Sequence, residues 1–362
     1  MRDKIRGSLI GGAAGDALGY TIEFIGEYGI FSRYGKDGIQ SYELDSYSGK
    51  AVISDDTQMT LFTAFAVIAE RCCAGSGGRY DDLRSYLSLA YQDWYDTQEL
   101  SFKEVRRSGI YSEKFIKYPD SMLPVMLKNN PELFCRRAPG ITCLSALYHR
   151  RNDTNSSEEV KSFIASKINN SKGCGGVMRV APIGMIKGRT IEEINIEGAE
   201  AAAVTHNRSL GYISAAVFSH IINRIIFPVG SMTLKEIVEE ARDTAARLFA
   251  DDENIEEMVN IIDKAIKLSE NHDSDLDNIH LLGEGWVGEE ALAIALYCSL
   301  KYENDFSKAL IASVNHKGDS DSTGAITGNI VGAICGYEAM EQKWKDNLEL
   351  SDLIINIADM LC

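Results

Sequence analysis

Two short acidic motifs carry the densest potential chemistry in this sequence, and each directly precedes a segment with helical periodicity. They are Ser54-Asp55-Asp56-Thr57 and Asp319-Ser320-Asp321-Ser322. One Ser or Asp at such a place commonly caps the helix, because it accepts hydrogen bonds from free N–H groups. Four carboxylates exceed what capping requires and repel one another. Carboxylates and hydroxyls are the ligands that hard cations such as Mg²⁺ prefer, so the two motifs together predict a metal site.

A glycine-rich segment is the second candidate, and its sequence is Gly173-Cys174-Gly175-Gly176-Val177-Met178-Arg179. It matches neither the dinucleotide-binding pattern nor the P-loop, which requires a Lys after its last Gly. Exposed N–H groups of such a loop can still bind a phosphate, whereas the simpler interpretation is a tight turn.

Two further residues gain interest only from this context. His206 lies within 199–227, where the apolar pattern predicts one helix, and there it would ordinarily be a histidine with its hydrogen bonds satisfied. Trp286, in the predicted loop 284–288, is one of only three tryptophans. It either packs in the protein or offers a flat surface to a base or a ribose.

Composition limits the function classes. The chain has 362 residues, and 37 Lys and Arg against 53 Asp and Glu give a formal charge of −16. Such a charge repels phosphate backbones and anionic membrane surfaces, so we expect neither nucleic acid nor a membrane as a partner. The eight cysteines show no CxxC pair, and residues 1–6 do not resemble a signal peptide. We therefore expect a cytoplasmic protein with reduced thiols.

Most long segments show helical rather than alternating apolar periodicity, which predicts an all-α fold. The pattern is clearest from residue 59, from 83, from 237, from 255 and from 292. Residues 39–42 form a weak strand candidate. The polar segments 150–161 and 270–278 are predicted as surface loops, and without a visible linker we expect one domain over residues 1–362.

Glycine recurs every fourth residue in two predicted helices. The positions are Gly7, Gly11, Gly15 and Gly19 in one, and Gly324, Gly328, Gly332 and Gly336 in the other. Glycine inside a helix costs about 1 kcal/mol relative to alanine, so two such faces need a structural reason. Close contact between the two helix backbones supplies one, and we predict that these segments meet in the core.

The motifs occur in an order that resembles the ADP-ribosylglycohydrolase family over almost the whole chain. The matching elements are Gly15-Asp16-Ala17-Leu18-Gly19 with Glu23-Phe24, the first acidic motif, the glycine-rich segment, Thr205-His206, Gly285-Trp286 and Gly318 with the second acidic motif. The Ser-Asp-Asp-Thr and Gly-Asp-Ser-Asp-Ser forms are more similar to the arginine-directed hydrolases of that family than to the serine-directed ones.

The resemblance implies an all-α, single-domain fold with two Mg²⁺ or Mn²⁺ ions in a cleft. The family's metal ligands correspond to Ser54, Asp55, Asp56, Asp319, Asp321 and Ser322. Glu23 matches a glutamate beside the metals, implicated in catalysis or in gating the cleft.

The implied activity is hydrolysis of the bond between ADP-ribose and arginine on mono-ADP-ribosylated proteins. The cleavage develops positive charge on the ribose, and divalent ions can bind its hydroxyls and activate a water. Asp55 or Asp56 would accept or pass on the proton. The backbone of 173–176 would hold the diphosphate near Met178 and His206, and Trp286 is a candidate for the adenosine half.

Three alternatives remain open at this stage. The same fold and metals could act on another ADP-ribosyl linkage, through serine or a small molecule. A silent ADP-ribose-binding or crystallin-like structural protein would also fit, although six retained oxygen donors argue against it. A generic two-metal phosphohydrolase would explain the acidic motifs but not the order of the others.

Overall fold

The computed structural model describes residues 1–73, 82–152 and 162–362, and in them the chain forms α-helices joined by loops and short 3-10 turns. The helices are α1 Arg2–Tyr20, α2 Glu27–Tyr34, α3 Asp55–Cys73, α4 Leu83–Glu99, α5 Phe102–Ser108, α6 Ile141–Asn152, α7 Ile191–Ala203, α8 Ser209–Ile226, α9 Leu234–Leu248, α10 Ile255–Ser269, α11 Asp275–Leu282, α12 Gly288–Lys301, α13 Phe306–Val314, α14 Ser320–Cys335 and α15 Ser351–Leu361.

The all-α prediction is confirmed. Within the described residues there is no strand, only isolated bridges that pair Ala51 with Leu348 and Gly173 with Val287. The strand suggested for 39–42 is wrong. Ile39 instead exchanges backbone hydrogen bonds with the side chain of Asn315, which fixes that segment without a neighbouring strand.

The two glycine faces pack directly against each other, as predicted. A Cβ added to Gly11 would lie 2.2 Å from the carbonyl oxygen of Gly328, and one added to Gly15 would lie 1.9 Å from that of Gly324. Because any larger side chain would fill that space, the glycines allow α1 and α14 to run in backbone contact. Helices from opposite ends of the sequence therefore form the centre of the fold.

The last member of the second glycine series contacts α1 as predicted, since a Cβ on Gly7 would lie 2.8 Å from the carbonyl carbon of Gly336, and it also ends the helix. Helix α14 ends at Cys335, and Gly336 follows it with a φ of 79°, a conformation that L side chains rarely adopt. It stops the helix, while at the other end of the interface Gly19 meets the backbone of Ser320.

The other helices surround this pair. Helices α9 and α10 bury one face each, in agreement with the apolar spacing of 237–248 and 255–266. Helix α8 is long and apolar enough to cross a membrane by length and composition, but 94% of it is buried inside the protein, as in the core helix of a globular fold.

Two other sequence predictions need correction. The single helix expected over 199–227 is broken, because α7 ends at Ala203 and α8 begins at Ser209. The loop predicted at 270–278 is shorter, since α11 begins at Asp275. Of the segment predicted as a loop at 150–161, residues 150–152 continue α6 and the remainder lies outside the described residues.

Candidate active site

The two acidic motifs lie at the first turns of two central helices. Asp55 and Asp56 begin α3, whereas Asp319 caps α14 and Asp321 lies in its first turn. The Asp319 carboxylate accepts a hydrogen bond from the backbone N–H of Ser322 at 3.2 Å. Each helix therefore directs its positive dipole end and its free N–H groups toward the acids that it carries.

Helix α1 and the turn after it complete the cluster. Carboxylate oxygens of Glu23, Asp319 and Asp321 lie within 4.8 Å of one another. Asp16, on α1, is fully buried and its charge interacts with that of Asp321. We call the six carboxylates from these three elements the acidic cluster; they are Asp16, Glu23, Asp55, Asp56, Asp319 and Asp321.

Burial raises the pKa of every member of the acidic cluster, and for all of them except Asp321 the charges of neighbouring carboxylates raise it further. The pKa of Asp16 rises to about 7 and that of Glu23 to about 10. Those of Asp55, Asp56 and Asp319 lie well above their ordinary values. Without a compensating cation, the folded protein therefore favours neutral carboxyl groups at this place.

The donor set fits divalent cations. Oε2 of Glu23 and Oδ1 of Asp56 are buried oxygens without a hydrogen-bond partner. Within the described residues, no member of the acidic cluster has a salt bridge to Lys, Arg or His. Buried charges are normally paired or coordinate metals, and unpartnered carboxylate oxygens facing like charges are what a hard cation would satisfy.

The two serines predicted as metal ligands also lie in the cluster. The Ser54 hydroxyl is 3.4 Å from Oδ2 of Asp56 and hydrogen-bonds to Asp321. The backbone N–H of Ser322 is 3.0 Å from Oδ1 of Asp321. The structure thus places both serines beside carboxylates of the acidic cluster.

The glycine-rich segment lies against the second acidic motif. Cys174 directs its Sγ to Oδ2 of Asp319 at 2.6 Å, and Met178 places its sulfur 3.7 Å from the hydroxyl of Ser322. The N–H of Cys174 is already donated to the carbonyl of Trp286. That bond removes one of the backbone donors expected to bind a phosphate.

His206 lies in the break between α7 and α8 rather than in a helix. It packs under the glycine-rich segment, because a Cβ on Gly173 would be 3.2 Å from Nε2 of His206. Burial and the nearby Arg179 lower the pKa of His206 to about 3. The imidazole is therefore neutral near pH 7 and would offer a phosphate a hydrogen bond rather than a charge.

Trp286 is partly exposed, with 41% of its surface accessible, beside the acidic cluster. Its ring stacks on that of Phe24, with the ring centroids 6.3 Å apart and the planes at 22°. Phe24 directly follows Glu23, and it is 73% exposed. The sequence motif Glu23-Phe24 and the tryptophan loop therefore meet at one edge of the site.

The comparisons with known proteins agree with this architecture. The family model described as ADP-ribosylglycohydrolase matches residues 1–362. The chain belongs to the ADP-ribosylglycohydrolase family. ADP-ribosylglycohydrolases are hydrolases that act on ADP-ribosylated substrates and use divalent metals, and the acidic cluster supplies carboxylates suited to such ions.

Individual relatives of this ADP-ribosylglycohydrolase are distant. It is 27% identical to mouse ADP-ribosylhydrolase ARH3 over 199 residues, 49% of this chain and 53% of that protein, so the chain spans about half the length of the ARH3 proteins that it matches. It is 23% identical to the ADP-ribosylarginine hydrolase Tri1 of Serratia proteamaculans over 363 residues, 99% of this chain and 79% of that protein.

A solved structure shares the fold. It is described as an ADP-ribosylglycohydrolase-related protein complex, and it superposes with a TM-score of 0.57 at 18% sequence identity. The match covers 99% of this chain and 97% of the other.

Sequence reasoning missed Asp16 as a member of the ADP-ribosylglycohydrolase site. Its carboxylate accepts hydrogen bonds from the backbone N–H groups of Ser54 and Thr57, each at 3.0 Å. Asp16 therefore caps α3 from α1 and fixes the first acidic motif. The signal was present, since Asp16 is the one charged residue in a run of small and apolar residues from 7 to 22.

Two other supporting contacts hold the site, one from the last residue of the glycine-rich segment and one from a loop that no motif marked. The buried guanidinium of Arg179 donates to the carbonyl of Gly175 at 2.6 Å, beneath the glycine-rich segment. Asp55 is held by the loop before α6, where its N–H donates to the carbonyl of Arg137 and its Oδ2 accepts from the N–H of Gly140 at 3.2 Å. These contacts fix the positions of the backbone and side chains around the cluster.

Proposed function

We propose that this protein hydrolyses the N-glycosidic bond between ADP-ribose and arginine on mono-ADP-ribosylated proteins and releases ADP-ribose, with two Mg²⁺ or Mn²⁺ ions bound. The observation that carries this proposal is the acidic cluster, in which six carboxylates are buried together and two of their oxygens lack a partner. A structural protein gains nothing from such a cluster, because each uncompensated buried acid destabilises the fold.

The proposed metal ligands come from both acidic motifs, and they are Ser54, Asp55, Asp56, Asp319, Asp321 and Ser322. Bound ions would supply Lewis acidity for the ribose hydroxyls and for the attacking water. The helix starts at α3 and α14 hold the ligands at fixed positions, so the site is formed before substrate binds.

Protein groups would move the proton and hold the substrate. Asp55 or Asp56 accepts the proton of the attacking water, and the free Oδ1 of Asp56 is available for this. Glu23 belongs to the same cluster and is buried with one unpartnered oxygen. This side chain can accept a hydrogen bond from a ribose hydroxyl, or it can gate the cleft. We assign Gly173, Cys174, Gly175, Gly176, Met178 and His206 to the ADP half of the substrate.

Arginine is proposed as the linkage on two grounds. The Ser-Asp-Asp-Thr and Gly-Asp-Ser-Asp-Ser forms favour it, and the match to the ADP-ribosylarginine hydrolase Tri1 runs along 99% of this chain, whereas the match to ARH3 covers 49%. The partners are then ADP-ribose and arginine-modified proteins, with neither nucleic acid nor membrane. We propose the cytoplasm as the location, a reducing compartment in which the eight free cysteines would remain thiols.

The deciding experiment measures free ADP-ribose released from an ADP-ribosyl-arginine protein and from an ADP-ribosyl-serine peptide, each with Mg²⁺ and with EDTA. We expect metal-dependent release from arginine. Release from serine alone would overturn the linkage, and binding of ADP-ribose without any release would favour the silent-protein alternative.

Variants of the acidic cluster test the site itself. Asp55→Asn and Asp321→Asn should each lower kcat at least about 100-fold at saturating Mg²⁺, since each removes a ligand charge. Asp93→Asn is the matched control, because Asp93 is also a fully buried carboxyl but, in the part of the chain that the structure describes, it accepts hydrogen bonds only from Ser112. Near-normal turnover in both cluster variants would refute the two-metal assignment.

A further inference from the structure

A groove opens beside the acidic cluster, on the side where Trp286 is exposed. Its volume is about 590 Å³, and its lining includes Glu27, Glu284, Glu290, His280 and Lys317 as well as Trp286. Three carboxylates there face one ammonium group. A groove with this balance of charge attracts cations and repels phosphates.

The groove borders the proposed catalytic residues. The carbonyl of Glu284 accepts the backbone N–H of Asp319 at 2.9 Å, and a Cβ on Gly285 would lie 3.4 Å from the Cβ of Asp319. On the opposite edge, Phe24 follows Glu23 and stacks on Trp286. The aromatic pair, Phe24 and Trp286, therefore separates the groove from the acidic cluster.

Two carboxylates of the groove, those of Glu27 and Glu284, are held in the ionised form near neutral pH. A hydrogen bond and the charge of Lys317, whose Nζ is 2.9 Å from Oε1, lower the pKa of Glu284. Partial burial raises the pKa of Glu27, but the hydrogen bonds to His280 and to the backbone N–H of Lys317, together with the charges of these two residues, lower it by more. Both groups can therefore pair with a cation brought by a ligand.

Exposed aromatic rings beside carboxylates match the chemistry of a guanidinium group. A guanidinium stacks on the face of Trp or Phe and at the same time pairs with carboxylate oxygens. The diphosphate of ADP-ribose has the opposite charge and is disfavoured here. This argues against the adenosine half as the partner of Trp286 and in favour of the leaving group.

We propose that the aromatic pair and the acidic groove bind the arginine side chain and the adjoining polypeptide of the modified protein, and so determine the specificity of this enzyme for its leaving group. This inference rests on the proposed function, because it supplies the leaving-group side of the same reaction. A serine-linked substrate carries no cation for this surface.

Fluorescence tests the binding directly. Trp94 and Trp344 are completely buried, so Trp286 is the tryptophan that a soluble quencher reaches. An arginine-containing peptide should protect it from acrylamide, whereas the same peptide with citrulline, a neutral isostere, should not. Glu284→Gln should weaken the protection. Equal protection by both peptides, or protection by ADP-ribose instead, would overturn the inference.

Kinetics provide the second measurement. Trp286→Ala and Phe24→Ala should each raise KM for the arginine-linked substrate roughly 3- to 30-fold while leaving the affinity for ADP-ribose unchanged. Tyr47→Ala, at an aromatic residue that is 99% exposed and does not line the groove, is the matched control. Unchanged KM in both aromatic variants would contradict the assignment.

The two proposals fail in different ways. If the wild-type protein releases no ADP-ribose from arginine, the proposed function is wrong regardless of the quenching result. If it releases ADP-ribose from arginine but arginine and citrulline peptides act alike, only the role of the aromatic pair is wrong.

Discussion

Replacing Gly15 with alanine tests the central packing of the fold. In an isolated helix this change would stabilise the helix by about 1 kcal/mol, because alanine is the better helix former. Here the new Cβ would lie 1.9 Å from the carbonyl oxygen of Gly324, about 1.5 Å inside ordinary van der Waals contact, and the atoms it meets are backbone. No side chain can move aside, so α1 and α14 must separate.

We expect a net loss of about 3 kcal/mol, at the upper end of the range for overpacked cores. For a chain of this size that corresponds to a fall in Tm of about 4–6 °C, measured by thermal unfolding in EDTA. The affinity for Mg²⁺ should fall as well, since α1 carries Asp16 and α14 carries Asp321.

Gly26→Ala is the control for this experiment. Gly26 has φ −65° and ψ 155°, which any residue adopts, and a Cβ there would meet nothing within 4 Å. It should be neutral or stabilise by up to about 1 kcal/mol. A Gly15→Ala protein as stable as the wild type would refute the proposed backbone contact between the helices.

Three further predictions address the site and its supports. Mg²⁺ or Mn²⁺ should raise Tm, because at a metal concentration of 100 times Kd binding adds about 2.7 kcal/mol to the free energy of unfolding, and EDTA should reverse the shift. No shift in Tm at millimolar metal would count against the proposed metal site. Ala138, in the loop that holds Asp55, has φ 52°, so Ala138→Gly should cost nothing or gain up to about 1 kcal/mol, whereas Ala138→Val should destabilise in urea unfolding. Burial raises the pKa of Asp93 to about 8, so the contribution of its neutral carboxyl group to the stability of the fold is present in acid and is lost as pH rises from about 4 through 8. Asp93→Asn should therefore flatten the profile of Tm against pH in that window, and an unchanged slope would contradict this.

Local sequence was sufficient for the helices and for the meeting of the two glycine faces, because a four-residue glycine period has few other physical explanations. It was not sufficient for the break at 204–208. That segment, Val204-Thr205-His206-Asn207-Arg208, contains neither Gly nor Pro to mark the end of a helix, and the break depends on distant partners. Asn207 donates to the carbonyl of Phe163, and the N–H of Arg208 donates to the carbonyl of Ser171.

The residues of the candidate site could likewise be predicted only in part from local sequence. Asp55 and Asp321 were identifiable because several carboxylates in one short motif are unusual. The capping role of Asp16 was not identifiable, because the hydrogen bonds that its carboxylate accepts come from the N–H groups of residues 54 and 57, at the start of another helix. The groove beside Trp286 is likewise formed by segments around residues 27, 284 and 317, which only the tertiary structure brings together.

The contact between α1 and α14 also has a consequence for biosynthesis. The end of α1 and the start of α14 are 300 residues apart, so at about 5–20 residues per second the ribosome completes the second helix roughly 15–60 s after the first. During that interval α1 has neither α14 as its packing partner nor the acids of α14 that complete the acidic cluster. Contacts of such long range form late and slowly, so a nascent chain of this protein exposes an unpaired apolar helix that chaperones can bind until synthesis is nearly finished.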